Sequence, residues 1–254
     1  MIPKIIHYCW FGKNPKPSLA LKCINSWRKY CPDYKIIEWN ENNYDVNFCK
    51  YSQQAYEKKK WAFVSDVARF KILYENGGFY FDTDVELLKP IDLFLNESGF
   101  MGFETTKAGL YGNYNQRHWM LNPGLGMGAR IKHPLLKDLL DEYNERSFIL
   151  ADDLLNLETI CETTSRFFYQ KGMKSDNIHQ NICDFHLFPK TFFNPMNSTD
   201  GKIFLTKDTF SIHHYAASWT TRVEKRNLKI FRFLNNFFGK KITGYIRSIY
   251  KKFN

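Results

Sequence analysis

No run in the chain approaches the about 20 consecutive apolar residues of a membrane-spanning helix, and no internal repeat or low-complexity linker divides it. The first absence predicts a soluble or peripheral protein, the second a single folded domain with a tail. Six cysteines (Cys9, Cys23, Cys31, Cys49, Cys161, Cys183) form no C-x-x-C pair. That argues against a zinc site, offers no disulfide framework and suits a reducing cytosol. The opening MIPKIIHYCWFG lacks an apolar core followed by small residues, so it predicts a first strand rather than a secretory leader. Acids are nearly missing in one place: residues 220–254 carry ten Lys or Arg and one Glu, nine of the ten net positive charges. Basicity confined to a tail disfavours a nucleic-acid binder, which spreads basic residues among stacking aromatics.

What is present is a globular composition, 44% hydrophobic and 17% aromatic over 254 residues, enough for one sizeable core. KIIHYCW reads as a strand, Pro17–Tyr30 as a helix opened by proline, and YKIIEW as a second strand. Helical patterns follow over Phe48–Lys59 and Trp61–Glu75, the latter closed by Asn76-Gly77-Gly78. GFMGFE and NPGLGMGA read as strands, His133–Glu145 and Asp152–Gln170 as helices, and Ile182–Phe188 and Phe210–Tyr215 as returning strands. The alternation predicts an α/β fold, a predominantly parallel sheet covered by helices, with ligands beyond the carboxyl ends of its strands.

The stretch NGGFYFDTDVE sits at such an end. If Phe79–Asp84 is extended, alternation puts Asp82 and Asp84 on one face with Thr83 opposite. Two carboxylates so close stay ionised cheaply only around a positive charge, and a hard divalent cation is the obvious one. A D-x-D tripeptide is ordinarily a solvated turn, but the apolar lead GGFYF makes a plain surface turn a poorer account. Asp66 and Arg69 in SDVAR lie three apart on one helical face, where an ordinary ion pair is the bland reading and contact with phosphate or sugar oxygens the functional one. Trp10 packs or stacks at the same rim. His213 and His214 face opposite ways on a strand, so at most one readily faces the site, where an imidazole can complete a Mn²⁺ shell.

Four ordered blocks carry a resemblance: Ile5–Gly12 (IIHYCWFG), Trp61–Arg69 (WAFVSDVAR), Gly77–Glu86 (GGFYFDTDVE) and Ile212–Trp219 (IHHYAASW). Together they resemble the DxD-containing glycosyltransferases of family thirty-two, which include capsular-polysaccharide and mannosyl or galactosyl transferases and are distantly similar to clostridial glucosylating toxins. The resemblance implies a GT-A type, Rossmann-like domain over 1–220, and the charge distribution sets a basic amphipathic, helical tail over 221–254 beyond it. It further implies a nucleotide-sugar donor (a UDP-sugar ahead of GDP-mannose), Mn²⁺ or Mg²⁺, retention of configuration, and a saccharide or lipid-linked saccharide acceptor in surface polysaccharide synthesis. Carried over to this chain, Trp10 stacks on the donor base, Asp66 and Arg69 contact sugar and diphosphate, and Tyr80 joins the donor-binding set. Asp82 reaches the ribose and a metal-bound water, Asp84 ligates the metal, His213 is the preferred third ligand with His214 the fallback, and Ser218 and Trp219 cover the diphosphate. The segment 113–128 matches only loosely, which leaves Asn122 without a firm role.

Two other classes compete. Phospho-aspartate phosphohydrolases also place an acidic pair after an apolar strand, but they usually carry a threonine two residues beyond the second acid; here Val85 and Glu86 follow, and Asp152-Asp153 lacks a preceding strand. A non-catalytic basic module is suggested by the tail, where Phe231, Leu234, Phe238, Ile242, Tyr245, Ile249 and Phe253 recur at helical spacing among Lys and Arg. For residues 222–254 two readings stand side by side: a helix on an anionic membrane surface, which would make the protein cytoplasmic and peripheral on the inner face, and a helix packed on the domain.

Overall fold

Ile5–Cys9 forms β1, with four of its five residues buried, as a strand covered on both faces must be. Pro17, extended at φ −67° and ψ 160°, starts α1 (Ser18–Tyr30), which buries Ala20, Cys23, Ile24 and Trp27 on one stripe. The chain returns as β2 (Lys35–Trp39), parallel to β1. A polar connection leads to α2 (Lys50–Glu57) and α3 (Trp61–Asn76). Then β3 (Gly78–Tyr80) pairs in parallel with the other edge of β1. The computed structural model describes residues 1–108, 117–197 and 201–216.

The joint between α3 and β3 depends on backbone that only glycine adopts comfortably. Gly77 and Gly78 have φ of +63° and +98°, and a Cβ on Gly78 would lie 2.6 Å from the Ile5 carbonyl oxygen. His7 locks the joint: its Nδ1 accepts from the Trp39 indole at 3.0 Å, so Nε2 carries the proton it donates to the Gly77 carbonyl at 2.9 Å. Burial pushes this imidazole down to about 4, so it stays neutral.

The rest of the sheet is β5 (Gly99–Ala108), β6 (Arg117–Asn122), β7 (Met127–Ala129), β8 (Gln180–Ile182) and β9 (Phe185–Phe188), in the order β2-β1-β3-β7-β5-β9-β8, with β6 paired to β5. Five strands, β2, β1, β3, β5 and β9, point one way; β7 runs against them between β3 and β5, and β8 against them at the edge. The expected α/β architecture with a mostly parallel sheet is therefore present, with one antiparallel strand in its interior. Helices α2, α3, α4 (Pro134–Asn144) and α5 (Ile160–Gln170) bury one face. The other face packs against α1 and a group of phenylalanines, Phe79, Phe81, Phe94, Phe100, Phe193 and Phe210. A short helix, α6 (Lys190–Phe193), and a two-stranded ribbon of β4 (Val85–Leu87) with β10 (Ser211–His213) complete the fold.

Four expectations change. The strand expected over Asn122–Ala129 is broken: β6 ends at Asn122, residues 123 and 124 form a turn, and β7 begins at Met127. The strand carrying the acids stops at Tyr80; residues 83 and 84 form a turn closed by the Val85 N–H donating to the Asp82 carbonyl at 3.0 Å, so strand alternation is not what orients the carboxylates. The helix expected over 152–170 begins at Ile160. Thr159 and Glu162 form a capping box that fixes this start, and Asp152 and Asp153, at φ +58°, belong to a separate single turn. The strand expected over 182–188 is instead the hairpin β8–β9, turned at Cys183-Asp184 with φ +52° and +63°. The expected tail, 221–254, lies outside the described residues. Replacing Thr159 by Ala removes one side of the capping box and should cost about 1 kcal/mol, read as a lower urea midpoint with an unchanged slope.

Candidate active site

Asp66 and Arg69 lie on the inner face of α3, and their pair is buried, with side chains 10% and 4% exposed and Nη2 to Oδ1 at 2.8 Å. A solvated surface pair is thereby excluded. The same Nη2 lies 3.4 Å from Asp82 Oδ1, the guanidinium sits 4.8 Å over the Tyr80 ring, and Nε donates to the Ser65 carbonyl at 3.2 Å. The Tyr80 hydroxyl donates to Asp82 Oδ1 at 3.2 Å. Burial pushes the Asp66 carboxyl well above the usual carboxylate range against the attraction of Arg69, whereas Arg69 keeps its charge because Asp82 and Asp66 outweigh its own burial. Its Nη1 is buried without a partner. A buried guanidinium nitrogen without an acceptor is costly unless something in the working protein supplies one.

Asp82 is held from the opposite side by the turn after β6. Its N–H donates to the Gly124 carbonyl at 3.0 Å, the Gly124 N–H donates to Asn122 Oδ1 at 2.7 Å, and the Asn122 amide donates to Glu104 Oε2 at 3.0 Å. Gly124 lies so close that a Cβ there would stand 2.0 Å from Asp82 Oδ2 and 3.0 Å from Arg69 Nη1. Asn122 and Glu104 thus shape the site through Gly124. Glu104 went unmarked in the sequence because its neighbours are recruited from distant strands.

The second acid is held by the ribbon. Antiparallel pairing sets His213 opposite Val85. His213 Nε2 then lies 3.2 Å from Asp84 Oδ1, and the Ala216 N–H donates to Asp84 Oδ2 at 2.7 Å. Burial alone would raise Asp84, but the charge and hydrogen bond of His213 and the Ala216 amide bring it down to about 2. Burial alone would lower His213, yet Asp84 lifts it to about 9. One ligand atom each from Asp82, Asp84 and His213 lies within 4.8 Å of the others, a set of two carboxylates and one imidazole that can hold Mn²⁺ or a similar ion. His213 Nδ1 is buried and unpartnered. The fallback His214 does not join this group; it pairs with Glu86 at 2.8 Å.

Trp10 leaves β1 at the same end of the sheet at which Asp82 leaves β3, since the two strands are parallel neighbours. Its indole N–H donates to the Asn14 carbonyl at 2.6 Å, and it lines a polar cleft of about 470 Å³ with Lys13, Lys16, Glu38 and residues 40–42. Asp82 and Asp84 are not part of that lining. Ser218 and Trp219 lie outside the described residues.

Residues 17–101 match the family described as glycosyltransferase sugar-binding region containing DXD motif. Inositol phosphoceramide mannosyltransferase 1 of Schizosaccharomyces pombe is 30% identical over 161 residues, 58% of this chain and 45% of that protein. An uncharacterized glycosyltransferase of Acanthamoeba polyphaga mimivirus is 25% identical over 236 residues, 88% of this chain and 86% of the viral one. The chain spans about half the length of the yeast relative it matches. A solved glycosyltransferase involved in glycosylation of the major capsid of PBCV-1 is 14% identical, with a TM-score of 0.46 over 90% of this chain and 100% of that one.

Two predictions follow from the geometry. Gly124→Ala should displace the Asp82 carboxylate and weaken Mn²⁺ binding, measured by electron paramagnetic resonance, by about tenfold or more, with a smaller effect on the unfolding midpoint. In chelator, the His213–Asp84 pair should give stability a pH window. The His213 share is complete below its ordinary value near 6.5 and lost as pH rises through about 9; the Asp84 share is complete above 3.8 and lost as pH falls through about 2. His213→Gln should flatten the alkaline limb of a denaturation-midpoint profile.

Proposed function

We propose that the chain is a metal-dependent, retaining hexosyltransferase of GT-A type, a reading supported by the match of residues 17–101 to the glycosyltransferase sugar-binding region containing DXD motif. Its donor is a nucleotide sugar and its acceptor a saccharide or lipid-linked saccharide in surface polysaccharide synthesis. One observation carries the reading: Asp82, Asp84 and His213, from a turn and a distant strand, converge within 4.8 Å beside a buried Arg69 that has an unpartnered Nη1.

Leaving-group departure from a nucleotide sugar builds negative charge on a diphosphate, and a divalent ion held by Asp82, Asp84 and His213 would neutralise that charge. Arg69, held by Asp66 and by the Tyr80 ring, would offer Nη1 to the same oxygens. Asp66 holds sugar hydroxyls in position. Trp10 offers a flat surface to the nucleobase beside the polar cleft of residues 40–42. No side chain is singled out as a covalent nucleophile, so retention is assigned to front-face attack by the acceptor hydroxyl. The resemblance favours a uridine nucleotide, and a relative named as a mannosyltransferase adds GDP-mannose as the rival donor. Protein working on lipid-linked acceptors would sit in the cytosol against the inner membrane face.

The test is nucleotide release from a panel of UDP-hexoses and GDP-mannose, with thermal stabilisation by each donor measured with and without Mn²⁺. One donor should stabilise the protein only with the ion, EDTA should abolish turnover, and Asp84→Asn should lower kcat/KM by roughly a hundredfold or more. Full turnover in EDTA would remove the ion from the mechanism. Cleavage of a simple phosphomonoester with indifference to every nucleotide sugar would favour a phosphohydrolase.

A further inference from the structure

Seven consecutive residues, Lys202–Asp208, are exposed, and three of them in a row are large and apolar: Ile203, Phe204 and Leu205 are 43%, 63% and 58% exposed. Single apolar side chains on a surface are ordinary, but an unbroken exposed run of three is not. The backbone beneath them is anchored. Ile203 bridges to Met196, the Asn197 N–H donates to the Lys202 carbonyl at 2.8 Å, and the Phe204 N–H donates to the Pro195 carbonyl at 3.1 Å. Beyond Leu205 the chain turns tightly, with the Thr206 N–H donating to Thr209 Oγ1 at 3.0 Å and the Asp208 N–H to Thr206 Oγ1 at 3.2 Å. The fold therefore holds the apolar side chains outward.

The surroundings are basic. Lys202 and Lys207 flank the three residues, and Lys89 reaches the Lys207 carbonyl at 2.6 Å while lying 3.8 Å over the Phe210 ring. Asp208 is the one acid among residues 202–208. An apolar tip in a lysine collar matches an anionic bilayer, whose acyl boundary takes the apolar side chains while its headgroups meet the ammonium groups.

We propose that Lys202–Lys207 is a membrane-contact loop, seating Ile203, Phe204 and Leu205 in the interfacial layer of an anionic bilayer with Lys89, Lys202 and Lys207 at headgroup level. Such contact requires neither the tail nor the transferase activity. It also has a defined relation to the site. The loop runs through Phe210, whose carbonyl accepts the Leu88 N–H at 2.8 Å, into β10, which carries His213 at its other end. Docking of the loop would hold the β4–β10 ribbon, and with it the site, close to the lipid surface.

Full-length protein should sediment with phosphatidylglycerol–phosphatidylcholine vesicles and much less with phosphatidylcholine alone. The triple variant Ile203→Ser, Phe204→Ser, Leu205→Ser should lower the partition coefficient by about tenfold or more, while its unfolding midpoint and its Mn²⁺ binding stay near those of the parent. In a Phe204→Trp variant, bound protein should show added quenching by brominated acyl chains. A triple variant that partitions like the parent overturns the proposal and leaves membrane affinity to other residues, including 217–254. A parent chain that ignores both vesicles but self-associates through this loop overturns it in favour of a second copy.

Discussion

Three carboxylates share the space beyond β3, and the site exists because their mutual repulsion is offset by two cations fixed in the fold. Arg69 stands between Asp66 and Asp82, and without a metal ion a protonated His213 neutralises Asp84, a proton that His213 would release on ligating an ion. Each cation is buried, so neither can rearrange cheaply when a ligand arrives. The arrangement leaves hydrogen-bonding capacity unused, at Arg69 Nη1 and His213 Nδ1, in a region where unused capacity is expensive.

The local parts of this design were legible in the chain. Pro17 opening α1, the apolar stripe of α3 and the glycine pair that ends it are signals written within a few residues, and each element stands where those signals place it. The helix expected over 152–170 failed in its first half because Thr159 and Glu162 make a stronger start than the loosely apolar stretch before them. The strand expected over 182–188 failed because two residues there adopt positive φ without glycine, which composition does not announce.

Site residues divide along the same line. Asp66, Arg69, Asp82 and Asp84 were named from short-range spacing and do lie together, although a turn and not strand alternation brings the last two near one another. His213 and His214 were indistinguishable in isolation, since adjacent strand residues differ only in which face they present. The register of β10 on β4, a pairing across more than a hundred residues, turns His213 to Asp84 and His214 to Glu86. Gly124, Asn122 and Glu104 gain their meaning only when three strands are assembled around Asp82. No local pattern encodes a contact of that kind.

The lateness of β10 in the chain has a consequence for assembly. Residues 61–84 can come together early, since they are nearly contiguous, and bring their acids with them. Until the strand at Ser211–His213 docks, that cluster lacks its imidazole and the Ala216 amide. During synthesis the polypeptide therefore passes through a long interval in which most of its hydrophobic interior has been made but its acidic centre is still missing two of its partners. Among the described residues, competence for the ion is conferred by the segment made last.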